Sequence, residues 1–172
     1  NAGASSCSSC PTGYANSGTT AASHAGSASC TITVTGGYYI GTAGDNSSNW
    51  DKCAGGTYKA QHTVAYGSTS SCTSASKGYY VGTTGASSQT ACPLGAYTNA
   101  TGQSTCTPCQ NGTTTSGPGQ TSCNATCENS NNVTSWATAS MSNNNVANLC
   151  KVSGCNKDTY YTAMIETGYQ NT

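Results

Sequence analysis

The chain has 172 residues, five lysines, five acidic residues and no net charge; twelve are cysteines, 21 are glycines, and arginine and phenylalanine are absent. Nothing in that balance concentrates positive charge for nucleic acid or an anionic membrane. Ser and Thr together number 54, with Leu and Ile nearly missing, so an ordinary apolar core is excluded and covalent staples must replace it.

In chain order, Cys7 and Cys10 form a C-x-x-C pair inside the serine cluster 5–9 and lead into Pro-Thr-Gly-Tyr. Cys30 opens Thr31–Val34, whose alternation of β-branched and polar residues predicts a half-buried strand. Further strands are expected at Tyr38–Gly41, Tyr79–Thr83 and Thr113–Thr115. From Cys10 to Cys92 the cysteines recur every 19 to 23 residues, through Cys30, Cys53 and Cys72. A glycine-tyrosine punctuation follows each of them, as in GGYYIGTAG at 36–44, GGTY at 55–58 and GYYVGTTG at 78–85. Cys92 leads through PLGAY to Cys106, and Cys109 leads through QNGTTTSGPGQTS to Cys123. Repeats this short cannot fold singly and are stabilised by stacking. Glycine permits the tight turn, and tyrosine shields the neighbouring bridge with its hydroxyl in water. In the doublets at 38–39, 79–80 and 160–161 one ring is expected inward and one outward.

Composition changes after Cys127. Asparagines at 129, 131, 132 and 143–145 surround VTSWATASM, and Ser or Asn at 130–132 is expected to cap a short helix reaching Met141. A second turn is expected over Val146–Cys150, before the last cysteine, Cys155. The domain reading is a Cys/Gly/Tyr repeat region over 1–126 and a distinct cap, or the start of a further unit, over 127–172. The fold class is small and disulfide-rich, mostly irregular with short β-hairpins. It is read as an elongated, solenoid-like repeat rod with a short helix near the C-terminus.

The C-x-x-C-P-x-G run at 7–13 and C-P-x-G-x-Y…G…C at 92–106, followed by C-x-x-C at 106–109, resemble the cysteine-rich repeats of protist surface proteins. Among these the chain most resembles the ciliate immobilisation antigens, lipid-anchored coat proteins. The growth-factor-receptor-like cysteine repeats share the same grammar. The likeness spans about 7–127 and is densest over 92–123. It implies extracellular display, disulfides and no catalytic residue.

Disulfide pairing is the reading for all twelve cysteines, since such density persists in oxidising compartments. Connectivity is open, because twelve cysteines allow roughly ten thousand pairings; Cys106 and Cys109 with Cys123 and Cys127 is the favoured local group. Zinc is disfavoured: the two C-x-x-C pairs lie far apart, and His24 and His62 fit no ligand spacing. Asn46, Asn99, Asn111, Asn124 and Asn132 begin Asn-x-Ser/Thr sequons in expected loops, as N-glycan acceptors require. The clusters 5–9, 68–71 and 113–116 are candidates for O-glycans. No nucleophile elbow, phosphate loop or dinucleotide fingerprint is present. Asp45 with Asp51, or Asp158 with Glu166, would be the only acid–base pairs, so no enzyme activity, metal or cofactor is expected.

The leading functional expectation is a structural, glycosylated extracellular protein, either a surface-coat antigen or a filament subunit. The partners are then further copies, through strand edges at 31–35 or 79–83 or through the termini, together with N- and O-glycans and a lipid anchor at or beyond the chain's end. No apolar leader or membrane-spanning run occurs in these residues, and a mature chain or a piece of a longer one is expected. The alternative is a receptor or adhesin module that binds protein or carbohydrate.

Overall fold

The computed structural model describes residues 10–16, 30–127 and 133–155. The chain divides into two compact units, Asn1–Thr73 with Thr83–Ser88, and Ser74–Gly82 with Gln89–Thr172. All regular structure among the described residues is antiparallel strand.

In the first unit, β1 (Ala15–Asn16), β2 (Cys30–Val34) and β6 (His62–Ala65) form a three-stranded sheet with β2 in the middle. The strand expected from the alternation of Thr31–Val34 is therefore present. It is not the free edge expected at 31–35: β6 pairs with it from Thr31 to Val34, and β1 pairs with Cys30 and Thr31. Two short pairs follow, β3 (Tyr38–Tyr39) with β4 (Asp51–Lys52), and β5 (Thr57–Tyr58) with β7 (Thr73–Ser74) at the unit's boundary. The apolar core is one small cluster, Tyr14, Cys30, Ile32, Val34, Ile40 and Val64, with Trp50 and Tyr66 packed against it.

The second unit holds three hairpins of the same kind: β8 (Tyr79–Tyr80) with β9 (Thr90–Ala91), β10 (Ala96–Tyr97) with β11 (Thr107–Pro108), and β12 (Thr113–Thr114) with β13 (Ala125–Thr126). A buried residue closes each of them, and its N–H returns to the glycine that opened the hairpin. Cys92 donates to the Gly78 carbonyl, Cys109 to Gly95 and Cys127 to Gly112, at 2.7–2.8 Å. In the first unit Cys53 donates to Gly37 in the same way, at 2.9 Å.

Stacking between hairpins also follows one rule. The Val81 N–H donates to the Gln103 carbonyl and that of Thr98 to the Gln120 carbonyl; in the first unit Lys59 donates to Ala86. The backbone ladder thus continues from one hairpin to the next, which is how strands of two residues persist at all. Threonine takes the place of a larger apolar side chain. The buried Thr98 hydroxyl accepts the Gly78 N–H at 2.8 Å and donates to the Tyr79 carbonyl, and that of Thr115 accepts the Gly95 N–H at 2.8 Å. A β-branched hydroxyl fills space and satisfies a backbone donor at once, which is what a core without Phe and nearly without Leu requires.

Five disulfides are described: Cys10–Cys30, Cys53–Cys72, Cys92–Cys106, Cys109–Cys123 and Cys127–Cys150. Each joins a cysteine to the next one in sequence. The favoured group of Cys106, Cys109, Cys123 and Cys127 is therefore divided, for only Cys109–Cys123 pairs inside it. Cys106 and Cys109 sit at the two ends of β11. Residues three apart on a strand face opposite sides, so Cys106 turns back to Cys92 and Cys109 turns forward to Cys123. Cys7 lies outside the described residues, and of Cys155 only the backbone is described.

The helix expected to run through Met141 is not formed over the described residues 133–155. Four strands stand there: β14 (Val133–Trp136) pairs with β17 (Val152–Cys155), and β15 (Ser140–Ser142) pairs with β16 (Asn145–Ala147). The reason is local. Ser142 pairs with Asn145, and the two residues between them, Asn143 and Asn144, have φ of 48° and 64°. Two left-handed residues make a type I′ hairpin turn, which asparagine tolerates. The turn expected over Val146–Cys150 is narrower, since Val146 and Ala147 belong to β16 and only Asn148–Cys150 bend. Ala139 and Val146 join Tyr80, Cys92, Ala96 and Cys106 in the unit's core, with Met141 and Leu149 against it.

Candidate functional site

Four of the five sequon asparagines are described, and all four lie between strands. Asn99, Asn111 and Asn124 are exposed and Asn46 is half-buried; Asn132 lies outside the described residues. Asn111 occupies a tight turn with φ of 55°. Asn46 folds its side-chain carbonyl onto the Ser48 N–H at 3.0 Å, an Asx turn. Asn124 is the most engaged. Its carbonyl oxygen accepts the Ser116 N–H at 2.8 Å, and its amide nitrogen donates to Ser116 Oγ and Gln120 Oε1. A glycan bonds to that nitrogen, so modification there would cost part of this cluster, whereas Asn99 and Asn111 stand clear of the strands.

A Ser–His contact that spacing did not reveal joins Ser70 to His62. The Ser70 Oγ lies 2.9 Å from His62 Nε2, and His62 Nδ1 lies 3.1 Å from the Ala60 carbonyl. The carbonyl accepts only from an N–H, so a neutral ring carries its proton on Nδ1 and leaves Nε2 as acceptor. The hydroxyl then donates to Nε2 while accepting the Ile40 N–H at 3.0 Å, and the Ser70 N–H returns to the Ile40 carbonyl at 2.9 Å. That arrangement spends the hydroxyl on the backbone of Ile40 and sews the Ser70 loop to the first hairpin. No local pattern marks a serine and a histidine eight apart, so only the fold brings them together.

Two shallow depressions are described. The first, about 440 Å³, is lined by Thr35, Gly36, Ala60, Gln61 and Ser87. The second, about 250 Å³, is lined by Ser142, Asn145, Val146 and Ala147. Neither wall carries a titratable side chain, so neither offers acid–base chemistry. Among the described residues no group of three His, Cys, Asp or Glu stands close enough to hold a metal, and no helix is long and apolar enough to cross a membrane. His24, Asp158 and Glu166 lie outside the described residues.

The tyrosines divide by environment. In the 79–80 doublet Tyr80 is buried and Tyr79 half-buried, as alternation requires; Tyr38 and Tyr39 are both half-buried. The doublet at 160–161 lies outside the described residues. Tyr14 donates its hydroxyl to the Asp45 carbonyl at 2.6 Å and meets Tyr66 edge-on at 5.1 Å. Burial, and then the negative charge of Asp45, push the Tyr14 phenol above its ordinary range, with Tyr66 adding to the rise. Burial alone raises that of Tyr80. A raised phenol pKa favours the folded state below the unfolded value of about 10, and that advantage is lost as pH climbs through the folded value. Alkaline titration followed by tyrosinate absorbance is expected to show the phenols of Tyr14 and Tyr80 ionising late. Replacing Tyr14 and Tyr80 by Phe should remove that late phase; a late phase that survives both changes would contradict the assignment.

Comparison with family models, curated proteins and solved structures returns no match.

Proposed function

We propose that this protein is a structural extracellular glycoprotein, either a surface-coat antigen or a subunit of an extracellular filament. The reading is carried by one observation: five bridges join neighbouring cysteines in sequence, stapling hairpins that share one backbone hydrogen-bonding rule. So many bridges suit an oxidising, extracellular place. A chain of this kind resists unfolding and proteolysis without needing a deep cleft or a charged surface, and its work is mechanical and steric. Repetition of a single stacking rule suits a rod that grows by nearest-neighbour contacts. Glycans at Asn99 and Asn111 would supply the hydration that a surface so poor in charge lacks. The likeness to ciliate immobilisation antigens extends the proposal to a lipid anchor and to self-association in a coat.

The test is intact-mass analysis with electron microscopy of material purified from its native source. The expected result is a mass raised in steps of hexose and N-acetylhexosamine, with cysteine thiols absent, and regular fibres or a packed coat under the microscope. An unglycosylated monomer with free thiols would overturn the proposal. Stoichiometric binding of one protein or sugar by the monomer would point to the adhesin reading.

A further inference from the structure

Bridge positions in this fold obey a register. In four of the five described bridges, all but Cys127–Cys150, the first cysteine lies three residues before a glycine of positive φ, and the second lies within two residues of where the next hairpin's return strand begins. Cys53 precedes Gly56 and bonds to Cys72, just before β7; Cys92 precedes Gly95 and bonds to Cys106, just before β11; Cys109 precedes Gly112 and bonds to Cys123, near β13. Ala75 lies three residues before Gly78, also of positive φ, and Gln89 lies just before β9. Their separation in sequence is 14, the same as in Cys92–Cys106 and Cys109–Cys123.

Backbone bonding makes the same assignment. The Gly119 N–H donates to the Cys92 carbonyl at 2.8 Å, and the Gly85 N–H donates to the Cys53 carbonyl at 2.8 Å. The equivalent N–H of Gly102 donates to the carbonyl of Ala75, also at 2.8 Å. Ala75 is 0% exposed, as are Cys53 and Cys92. On the other side, the Gln89 side-chain oxygen accepts the Ser76 N–H at 2.7 Å. The glutamine thus reaches across the gap that a disulfide spans elsewhere.

We infer that Ala75 and Gln89 occupy a bridge position of the repeat from which the bridge is missing. This makes the β8–β9 pair, within the second unit, a joint that opens reversibly while the described disulfides stay intact. One other position of the register lacks its cysteines, Val34 before Gly37 and Trp50 before β4, but there the first unit's apolar cluster takes over, with Val34 fully buried and Trp50 packed on it. At Ala75 and Gln89 the side chains contribute only a methyl group and the one hydrogen bond from Ser76, where elsewhere a covalent bridge stands. Local opening runs through the least-held parts of a fold, and here that part is set by two residues. For the extracellular role proposed above it would supply compliance in an otherwise cross-linked chain, although the joint itself depends only on the bridges being formed.

Amide hydrogen exchange of the oxidised protein tests this. The expected result is that β8 and β9 exchange roughly ten-fold or more faster than β10, β11, β12 and β13. In A75C/Q89C an additional disulfide, mapped by mass, should form on air oxidation and slow β8 and β9 to the level of their neighbours. Q89A, which keeps every cysteine, should quicken β8 and β9 alone. Equal exchange in the three hairpins of the unmodified protein, failure of the new cysteines to join, or no effect of Q89A would each overturn the inference. None of these outcomes depends on glycosylation or fibre formation.

Discussion

Reduction is expected to unfold this protein without any denaturant. The five described bridges close loops with separations of 14 to 23 residues. A loop of about 15 residues is worth about 3 kcal/mol in the chain-entropy account, while whole domains are stable by about 5–15 kcal/mol. The two apolar clusters hold six buried residues each, and four of the six in the second are Cys or Ala: Cys92 and Cys106 are themselves core. Opening a bridge therefore removes a tether and loosens packing together. The measurement is thermal unfolding by circular dichroism with and without a phosphine reductant, supported by amide dispersion in NMR spectra. The reduced chain is expected to show no cooperative transition. C92A/C106A alone should lose about 3–5 kcal/mol, because it removes a tether and leaves a cavity beside Tyr80 and Val146. A reduced chain that melts cooperatively at the oxidised temperature would refute the view that sulfur replaces the core.

Much of this was legible because the signals were local. The alternation of Thr31–Val34 announced β2, and the Gly-Tyr steps after each cysteine announced the hairpins, since turn chemistry is written in adjacent residues. Sequential pairing followed the expectation of local bridges, but the C-x-x-C grouping misled. The motif looks like a pair until a strand is placed between its members, and then Cys106 and Cys109 face apart. The helix expected near Met141 failed for a similar reason. Asn143–Asn144 between Ser142 and Asn145 is a hairpin turn in its own right, and capping by nearby asparagines was the weaker of two readings of the same residues. What no sequence pattern carried was contact at a distance. Thr115 falls in the 113–116 cluster expected to carry O-glycans and nothing local marks Thr98, yet each is buried and accepts a glycine N–H twenty residues back. Ser70 meets His62 only because β2 and the first hairpin hold both ends. The missing bridge at Ala75 and Gln89 was invisible because absence of a cysteine leaves no mark until the repeat register is known.

Replacing Gly78 by alanine is expected to destabilise the fold by about 2–4 kcal/mol, with Gly67→Ala as its control. The two glycines share nearly the same backbone, with φ of 81° and 80°. Alanine at such a φ costs roughly 1–2 kcal/mol anywhere. Around Gly67 nothing lies within 4 Å of an added methyl, so that penalty is the whole effect. At Gly78 the methyl would run into the Gly119 carbonyl, and the turn has little room to move away. Its N–H is held by Thr98 and its carbonyl takes the Cys92 N–H, both at 2.8–2.9 Å. Gly119 is fixed in turn by its bond to Cys92. Gly37 repeats the arrangement in the first unit, where the Gly85 carbonyl fills the same place. Close backbone approach thus recurs at Gly37 and Gly78, and glycine is needed at these two turns for space as well as for φ. Thermal melts of oxidised protein should show Gly78→Ala lowered by roughly 5–15 °C and Gly67→Ala by only a few degrees. Equal shifts would mean that φ alone sets the cost and that the hairpins do not pack backbone to backbone.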